Sequence, residues 1–384
     1  MRFIHTADWH LGRLFHGTHL TEDQAHVLEQ LCEVAREIKP DALIVSGDVY
    51  DRAVPPPDAV ALLDHVLSRV VLDLGIVVIM IAGNHDSPER LGFGSRVLSA
   101  RGLHVIGLVG DEVPCVTLQD ESGPVHFYPI PYTEPAVARE KLDRDDLHDH
   151  QAVVQALMER IRGARAPGER SVLISHAFVT GGSVSESERP LSVGGVDHVD
   201  PGGFQDFDYV ALGHLHRPQR AGGDQIRYSG SLLKYSFSEA DHQKAINLVE
   251  MDAQGTCSVE SIHLTPRRDV RRKEGFFKEI LMGPDPGENS DDYLMVSLLD
   301  KAPILDVMGR LREVYPNALH VERPYLDLGR DTGARPADHR ALNDKELFAA
   351  FFSQVTGDDL TEAQESAYED VVDKLRRNDR EIDQ

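Results

Sequence analysis

Seven side chains with metal-ligand chemistry, Asp8, His10, Asp48, Asn84, His176, His214 and His216, follow short apolar runs in the first part of the chain. Any one alone reads as a turn residue or a hydrogen-bonded histidine. Together they recur as Asp8-Trp9-His10, Gly47-Asp48, Gly83-Asn84-His85-Asp86, Ser175-His176 and Gly213-His214-Leu215-His216, which is hard to attribute to chance. The donors are carboxylate, imidazole and amide oxygen without thiolate. Such a set suits Mn²⁺, Fe or Zn²⁺ and excludes a structural zinc site built on cysteine. Seven ligands are too many for one ion. They suit two divalent metal ions about 3.5–4 Å apart sharing one carboxylate, an arrangement that activates water and steadies both oxygens of an in-line phosphoryl displacement.

The positioning elements are legible as patterns. Arg2 to Ala7, Ala42 to Val45, Val77 to Ala82, Val172 to Ile174 and Tyr209 to Leu212 read as buried strands, each ending at a donor. An amphipathic helix over Gln24 to Ile38 and a second from Pro55 to Leu74 separate the first three. That βαβαβ order implies a parallel sheet with the strand ends on one edge, where open α/β sheets place their chemistry. Val113 to Leu118 and Val125 to Ile130 read as paired strands, and Asp146 to Arg162 as a helix. Ile226 to Tyr228, Ala245 to Met251 and Cys257 to Leu264 alternate like antiparallel strands finishing a second sheet.

A dense basic run, Arg267-Arg268 to Arg271-Arg272-Lys273, reads as a solvated linker and marks the first boundary. The expected domains are 1–270, 271–330 and 331–384. Residues 276–328 read strand, loop, strand, helix, strand, a small α/β module with its helix at Ile304 to Tyr315. After a polar linker, Asp331 to Arg340, come helices over Asp344 to Val355 and Glu362 to Arg377, the second with Thr361 and Gln364 spaced as a capping box. Leu347, Phe348, Phe351, Phe352 and Val355 form an apolar stripe on the first. Two short helices cannot build their own core, so they are expected to pack on the small module or on a partner.

Composition bounds the function. The 384 residues are 41% hydrophobic and 27% charged, as in globular proteins. The net charge of −24 argues against coating nucleic acid by bulk electrostatics. A polyanionic substrate then needs cations at the site, a local basic patch or a basic partner. Cys32, Cys115 and Cys257 are scattered and odd in number, which suggests a reducing compartment. With no secretory signal and no apolar run long enough to span a bilayer, a cytoplasmic protein without membrane attachment is expected.

The five motifs, in order, resemble the calcineurin-like metallophosphoesterases, whose pattern is DxH, GDxxD, GNH(D/E), a lone H and GHxH. The stretches DWHLGRLFHG from Asp8, GDVYDRAVPPPDAV from Gly47, SHAFVTGG from Ser175 and YSGSLLKYSFSE from Tyr228 are further similar to the SbcD family of bacterial nuclease subunits. The resemblance implies an α/β fold, a two-sheet αββα sandwich with a small α/β capping domain and C-terminal helices. It implies a Mn²⁺-dependent DNA exonuclease and endonuclease in repair and recombination, acting as a homodimer with an SbcC-type, SMC-like ATPase that takes the tail helices. By position it makes Asp8, His10, Asp48 and His216 ligands of a first metal, and Asp48, Asn84, His176 and His214 ligands of a second. His85 would then orient the phosphate or protonate the leaving oxygen, with Asp86 fixing its ring. Arg13, Arg52, Arg90 and Lys234 lie beside the motifs and are candidates for phosphate contacts. Rival readings are a protein phosphatase, a small phosphodiesterase or a non-catalytic metal-bound scaffold. Asp51-Arg52 is followed by Ala53, not the glycine of the serine/threonine phosphatases.

Overall fold

Arg2–Thr6 runs parallel to Ala42–Val45, which runs parallel to Val77–Ile81, so the first three motif-bearing strands are neighbours. All four residues of Ala42–Val45 are buried, as expected of a strand covered on both faces. In the computed structural model, which describes residues 1–110, 114–188, 198–302, 304–324, 344–356 and 359–382, the chain forms two compact units, Met1–Val270 and Arg271–Gln384.

The first unit is built on two six-stranded sheets. One has the order Cys257–His263, Ala245–Met251, Arg2–Thr6, Ala42–Val45, Val77–Ile81, Leu103–Ile106. The other has the order Gln219–Arg220, Ile226–Tyr228, Tyr209–Gly213, Arg170–His176, Gly123–Ile130, Val116–Asp120. Phe3, Ile44, Ile79 and Ile81 of the first meet Phe127, Val172, Ile174 and Tyr209 of the second in one buried core. The Phe3 ring stands edge-on to Phe127 and Tyr209, at 5.7 and 5.5 Å. Each such side chain removed from water stabilises by roughly 1.5–3 kcal/mol. The helix His150–Ala164 covers the far face of the second sheet, setting Val153, Leu157 and Ile161 among Leu173, Val210 and Leu212. Asp149 caps that helix by accepting from the Ala152 N–H at 2.8 Å.

One polar post crosses the core. The buried His5 ring donates from Nε2 to the Leu212 carbonyl at 3.1 Å, and Nδ1 accepts from the Tyr209 hydroxyl at 3.0 Å. Burial pushes its pKa down to about 3, so both bonds are made by the neutral ring. The post lies just ahead of Asp8 on one sheet and His214 on the other, and brings the two strand ends level.

Several expectations are corrected. Ala245–Met251 and Cys257–His263 do not finish the second sheet. They extend the first, with Ala245–Met251 antiparallel to Arg2–Thr6. Ile226–Tyr228 does lie in the second sheet, but parallel to Tyr209–Gly213. Side-chain alternation reports burial and not the partner, and here the partner is about as far away in sequence as the unit allows. The four-residue strand Leu103–Ile106 and the helix Pro135–Leu142 were too short to read. The second helix spans Pro57–Ser68 and continues as a π turn, Arg69–Asp73.

In the second unit, Val270–Gly275, Tyr293–Leu298 and Ala318–Glu322 make a three-stranded sheet. With the helix Val307–Val314 they enclose Phe277, Ile280, Leu294, Val296, Leu311 and Tyr315. The strand expected from 276 is instead the short helix Phe277–Ile280, and the strand lies in the basic run. That run is not a solvated linker. Arg267 and Arg268 pair with Glu22 and Asp23 of the first unit's helix Thr21–Ile38. Arg271 pairs with Asp292 at 2.6 Å and Glu288 at 2.7 Å, and Lys273 with Asp285 at 2.7 Å. The acidic loop supplies the counter-charges that a pattern search along the basic run cannot see.

The polar linker Asp331 to Arg340 lies outside the described residues. The tail helices span Asp344–Thr356 and Glu362–Ile382. Thr361 and Gln364 form the reciprocal capping box, Thr361 N–H to Gln364 Oε1 at 2.9 Å and Gln364 N–H to Thr361 Oγ1 at 3.4 Å. Phe348 stacks on Tyr368 of the second helix at 4.3 Å, while Phe351 is 61% exposed. The side chains of Leu347 and Val355 lie outside the described residues. No helix among the described residues is long and apolar enough to cross a membrane.

Candidate metal centre

The strand ends are joined through their backbones. Asp8 N–H donates to the Gly47 carbonyl at 3.0 Å, and His10 N–H to the Asp48 carbonyl at 2.9 Å, zipping the first two loops together. The two sheets meet where His214 N–H donates to Asp8 Oδ1 at 2.9 Å. Two glycines permit this approach. A Cβ on Gly83 would lie 2.2 Å from Asp48 Oδ1, and one on Gly213 would lie 1.9 Å from the Ser46 carbonyl oxygen. The donors themselves carry strain, with φ of 53° at Asp8, 45° at His10, 49° at Asp48 and 106° at His214. Left-handed backbone at a non-glycine residue costs about 1–3 kcal/mol and persists where surrounding structure over-determines it.

All seven donors named by the sequence come together. His10 Nε2 lies 3.0 Å from His216 Nε2. Asn84 Oδ1 lies 2.9 Å from His176 Nε2 and 3.2 Å from His214 Nδ1. Between these groups sits Asp48 Oδ2, 3.7 Å from His10 Nε2 and 3.4 Å from His176 Nε2. Ligand atoms of Asp8, His10 and His216 lie within 4.8 Å of one another, as do those of Asp8, Asp48 and His176. This donor set fits divalent cations. Carboxylate and imidazole donors converge there without thiolate, and the buried His10 Nδ1 has no hydrogen-bond partner, with Asp51 Oδ1 3.6 Å away.

Electrostatics divides the imidazoles. Burial holds His10, His214 and His216 below the ordinary histidine range, leaving them neutral with lone pairs available. His176 departs from this: burial opposes its charge, but Asp48 and then Asp8 raise it to about 9. Burial likewise raises Asp8, whereas in Asp48 the burial penalty is outweighed by His176 and His10, which hold it low. Outside the ring of donors, His176 Nδ1 donates to the Ser46 carbonyl at 2.9 Å and so keeps Nε2 turned inward.

His85 lies beside these donors. Its N–H donates to Asp48 Oδ1 at 2.8 Å, and its ring stands edge-on to His10 at 4.6 Å. Asp86 does not fix that ring. Its carboxylate accepts the N–H groups of Gly83, Tyr50 and Val49, at 2.9, 2.9 and 3.1 Å, and ties the second loop to the third. His85 Nδ1 instead donates to the Asp51 carbonyl at 2.8 Å. A backbone acceptor carries no side-chain signature, which is why the sequence pointed to the adjacent carboxylate.

The candidate phosphate contacts separate. Lys234 is 11% exposed and its ammonium is engaged by the Ala240 carbonyl at 2.6 Å and Asp269 at 2.8 Å. Arg13 donates to Asp51 Oδ1 at 3.0 Å and the Ser187 carbonyl at 3.1 Å, with its guanidinium over the Tyr235 ring. Arg52 and Arg90 are exposed. Sequence reasoning missed Ser187, Glu188, Glu239 and Lys244, which surround His216. Only Glu239, closing the stretch from Tyr228, stood within a quoted motif.

The chain is similar to known proteins over most of its length. A family model described as calcineurin-like phosphoesterase matches residues 1–218, and a second, SbcD_C, described as type 5 capsule protein repressor C-terminal domain, matches residues 266–356. Among solved structures, a dimetal phosphatase from Danio rerio is similar at 14% identity over 69% of this chain and 96% of that one, with a TM-score of 0.43. The calcineurin-like phosphoesterase YfkN from Bacillus subtilis is similar at 11% identity over 69% and 90%, with a TM-score of 0.35. With more than half its length matched by that model and Asp and His donors gathered at its strand ends, the chain belongs to the calcineurin-like phosphoesterase family of metal-dependent hydrolases.

Proposed function

We propose that this chain is the nuclease subunit of an SbcCD-type complex, a two-metal phosphodiesterase that hydrolyses DNA at duplex, hairpin and single-stranded ends. The observation that carries the reading is Asp48 Oδ2 standing between His10 and His176, on a chain whose C-terminal part matches the SbcD_C family model. Asp8, His10, Asp48 and His216 would hold one ion, and Asp48, Asn84, His176 and His214 the other, with Mn²⁺ the expected metal. Bound there, the ions supply a nucleophilic water at neutral pH and charge stabilisation at the phosphate.

The protein's own part is orientation and proton transfer. With Nδ1–H committed to the Asp51 carbonyl, His85 presents Nε2 to substrate and, as imidazolium, gives that proton to the leaving oxygen. Arg13, Arg52 and Arg90 are the candidates for contacts to backbone phosphates. The exposed Phe351 supports docking of the tail helices on an SMC-like ATPase, and the whole would assemble on a homodimer of this subunit. Incubating pure protein with Mn²⁺ and, in parallel, linear duplex DNA, hairpin DNA and an aryl phosphate tests the reading. Cleavage of both DNAs is expected; hydrolysis of the aryl phosphate alone would identify a phosphatase instead.

A further inference from the structure

Glu239 closes the stretch that begins at Tyr228, and it is fully buried beneath a metal-site histidine. Lys244 Nζ lies 2.5 Å from its Oε2, so the carboxylate is ion-paired. The Ser187 hydroxyl donates to Glu239 Oε1. With that proton committed, Ser187 Oγ can only accept from His216, whose Nδ1 is 2.6 Å away. The direction of the chain sets the tautomer: the proton sits on Nδ1, and the lone pair is left on Nε2, which faces His10 Nε2.

Lys244 and Glu188 hold the His216 backbone. Lys244 Nζ donates to the His216 carbonyl at 2.7 Å and to Ser231 Oγ at 2.8 Å, while Glu188 Oε1 accepts the His216 N–H at 2.7 Å. Ring, N–H and carbonyl of one residue are thus each held by a different side chain. An ion pair this deep is a weak device for stability, because desolvating both charges offsets their attraction. Orienting a ligand is a use that hydrocarbon of the same volume could not serve.

We propose that Ser187, Glu239 and Lys244 are positioning residues for His216, a relay that fixes its tautomer and ring angle and so sets the affinity of the metal position built by Asp8, His10 and His216. The proposal rests on the two-metal reading above. Removing support of this kind typically lowers metal affinity 10–100-fold.

The test is calorimetric titration of metal-free protein with Mn²⁺, with the step lost in His216→Ala as the reference. Two changes are compared, Ser187→Ala and the neutral pair Glu239→Gln/Lys244→Met, which keeps side-chain volume and leaves no unpaired buried charge. Both are expected to weaken that same step, the pair by about tenfold or more, with the other step unchanged. The visible spectrum of the Co²⁺-loaded protein is expected to shift in both. Wild-type affinities and an unchanged Co²⁺ spectrum in the two folded variants would overturn the relay, as would equal weakening of both steps. A wild-type protein taking one ion would instead overturn the two-metal reading, and the relay would still be judged on whether that ion, if lost in His216→Ala, is weakened in the variants.

Discussion

His85 Nδ1 lies 2.8 Å from the carbonyl oxygen of Asp51, while the neighbouring Asp86 carboxylate turns away to three backbone N–H groups. His85 and Asp86 therefore have separable roles. His85→Ala is expected to bind two Mn²⁺ ions as wild type does, yet to lose roughly 10²–10⁴-fold in DNA cleavage. His214→Ala is expected to lose one Mn²⁺ step by calorimetry. Cleavage of linear duplex by His85→Ala at the wild-type rate would show that His85 does not carry the proton.

Asp86→Ala leaves the buried Gly83 and Val49 N–H groups, and that of Tyr50, without their acceptor. A stability loss of about 1–3 kcal/mol by urea denaturation is expected, together with weaker Mn²⁺ binding as the second and third loops part. An unchanged denaturation midpoint would contradict this account.

The two sheets approach through glycine. Gly213→Ala sets a Cβ against the Ser46 carbonyl and is expected to cost about 1–3 kcal/mol and to weaken Mn²⁺ binding. Gly163→Ala, in the helix His150–Ala164 with nothing within 4 Å of the added Cβ, is the control. It is expected to stabilise by about 0.5–1 kcal/mol. Thermal melts of the metal-free proteins separate the two.

Asp120 accepts both Arg170 Nη atoms, at 2.9 and 2.6 Å, which holds its carboxyl below the usual range. Its contribution to stability is fully present above the unfolded carboxylate value near 3.8 and is lost as pH falls below it. Asp120→Asn should therefore be less stable than wild type at pH 7, with the gap closing toward pH 2.5. A gap independent of pH in denaturant titrations would show that the charge is not what matters.

Truncation of residues 331–384 is expected to leave Mn²⁺ binding intact and to abolish co-purification with an SMC-type ATPase, and Phe351→Ala to weaken it. Survival of the complex after truncation would refute docking through the tail.

By itself the sequence determined which seven polar side chains end the buried strands, and the parallel order of those strands in the first sheet. These are local facts: an apolar run ending in Gly-Asp or Gly-Asn-His states its own burial and its own turn. The tertiary structure alone decided that Ala245–Met251 pairs with Arg2–Thr6 and that Arg271 and Lys273 of the basic run pair with the loop containing Asp285, Glu288 and Asp292. It also decided that Asp51, through its backbone, orients His85, and that Ser187, Glu239 and Lys244 converge on His216. Each depends on partners distant in sequence, or on a carbonyl that every residue possesses. Residue type and spacing cannot register such partners, because hydrogen bonds and ion pairs are chosen by proximity after the two sheets have closed on their shared core.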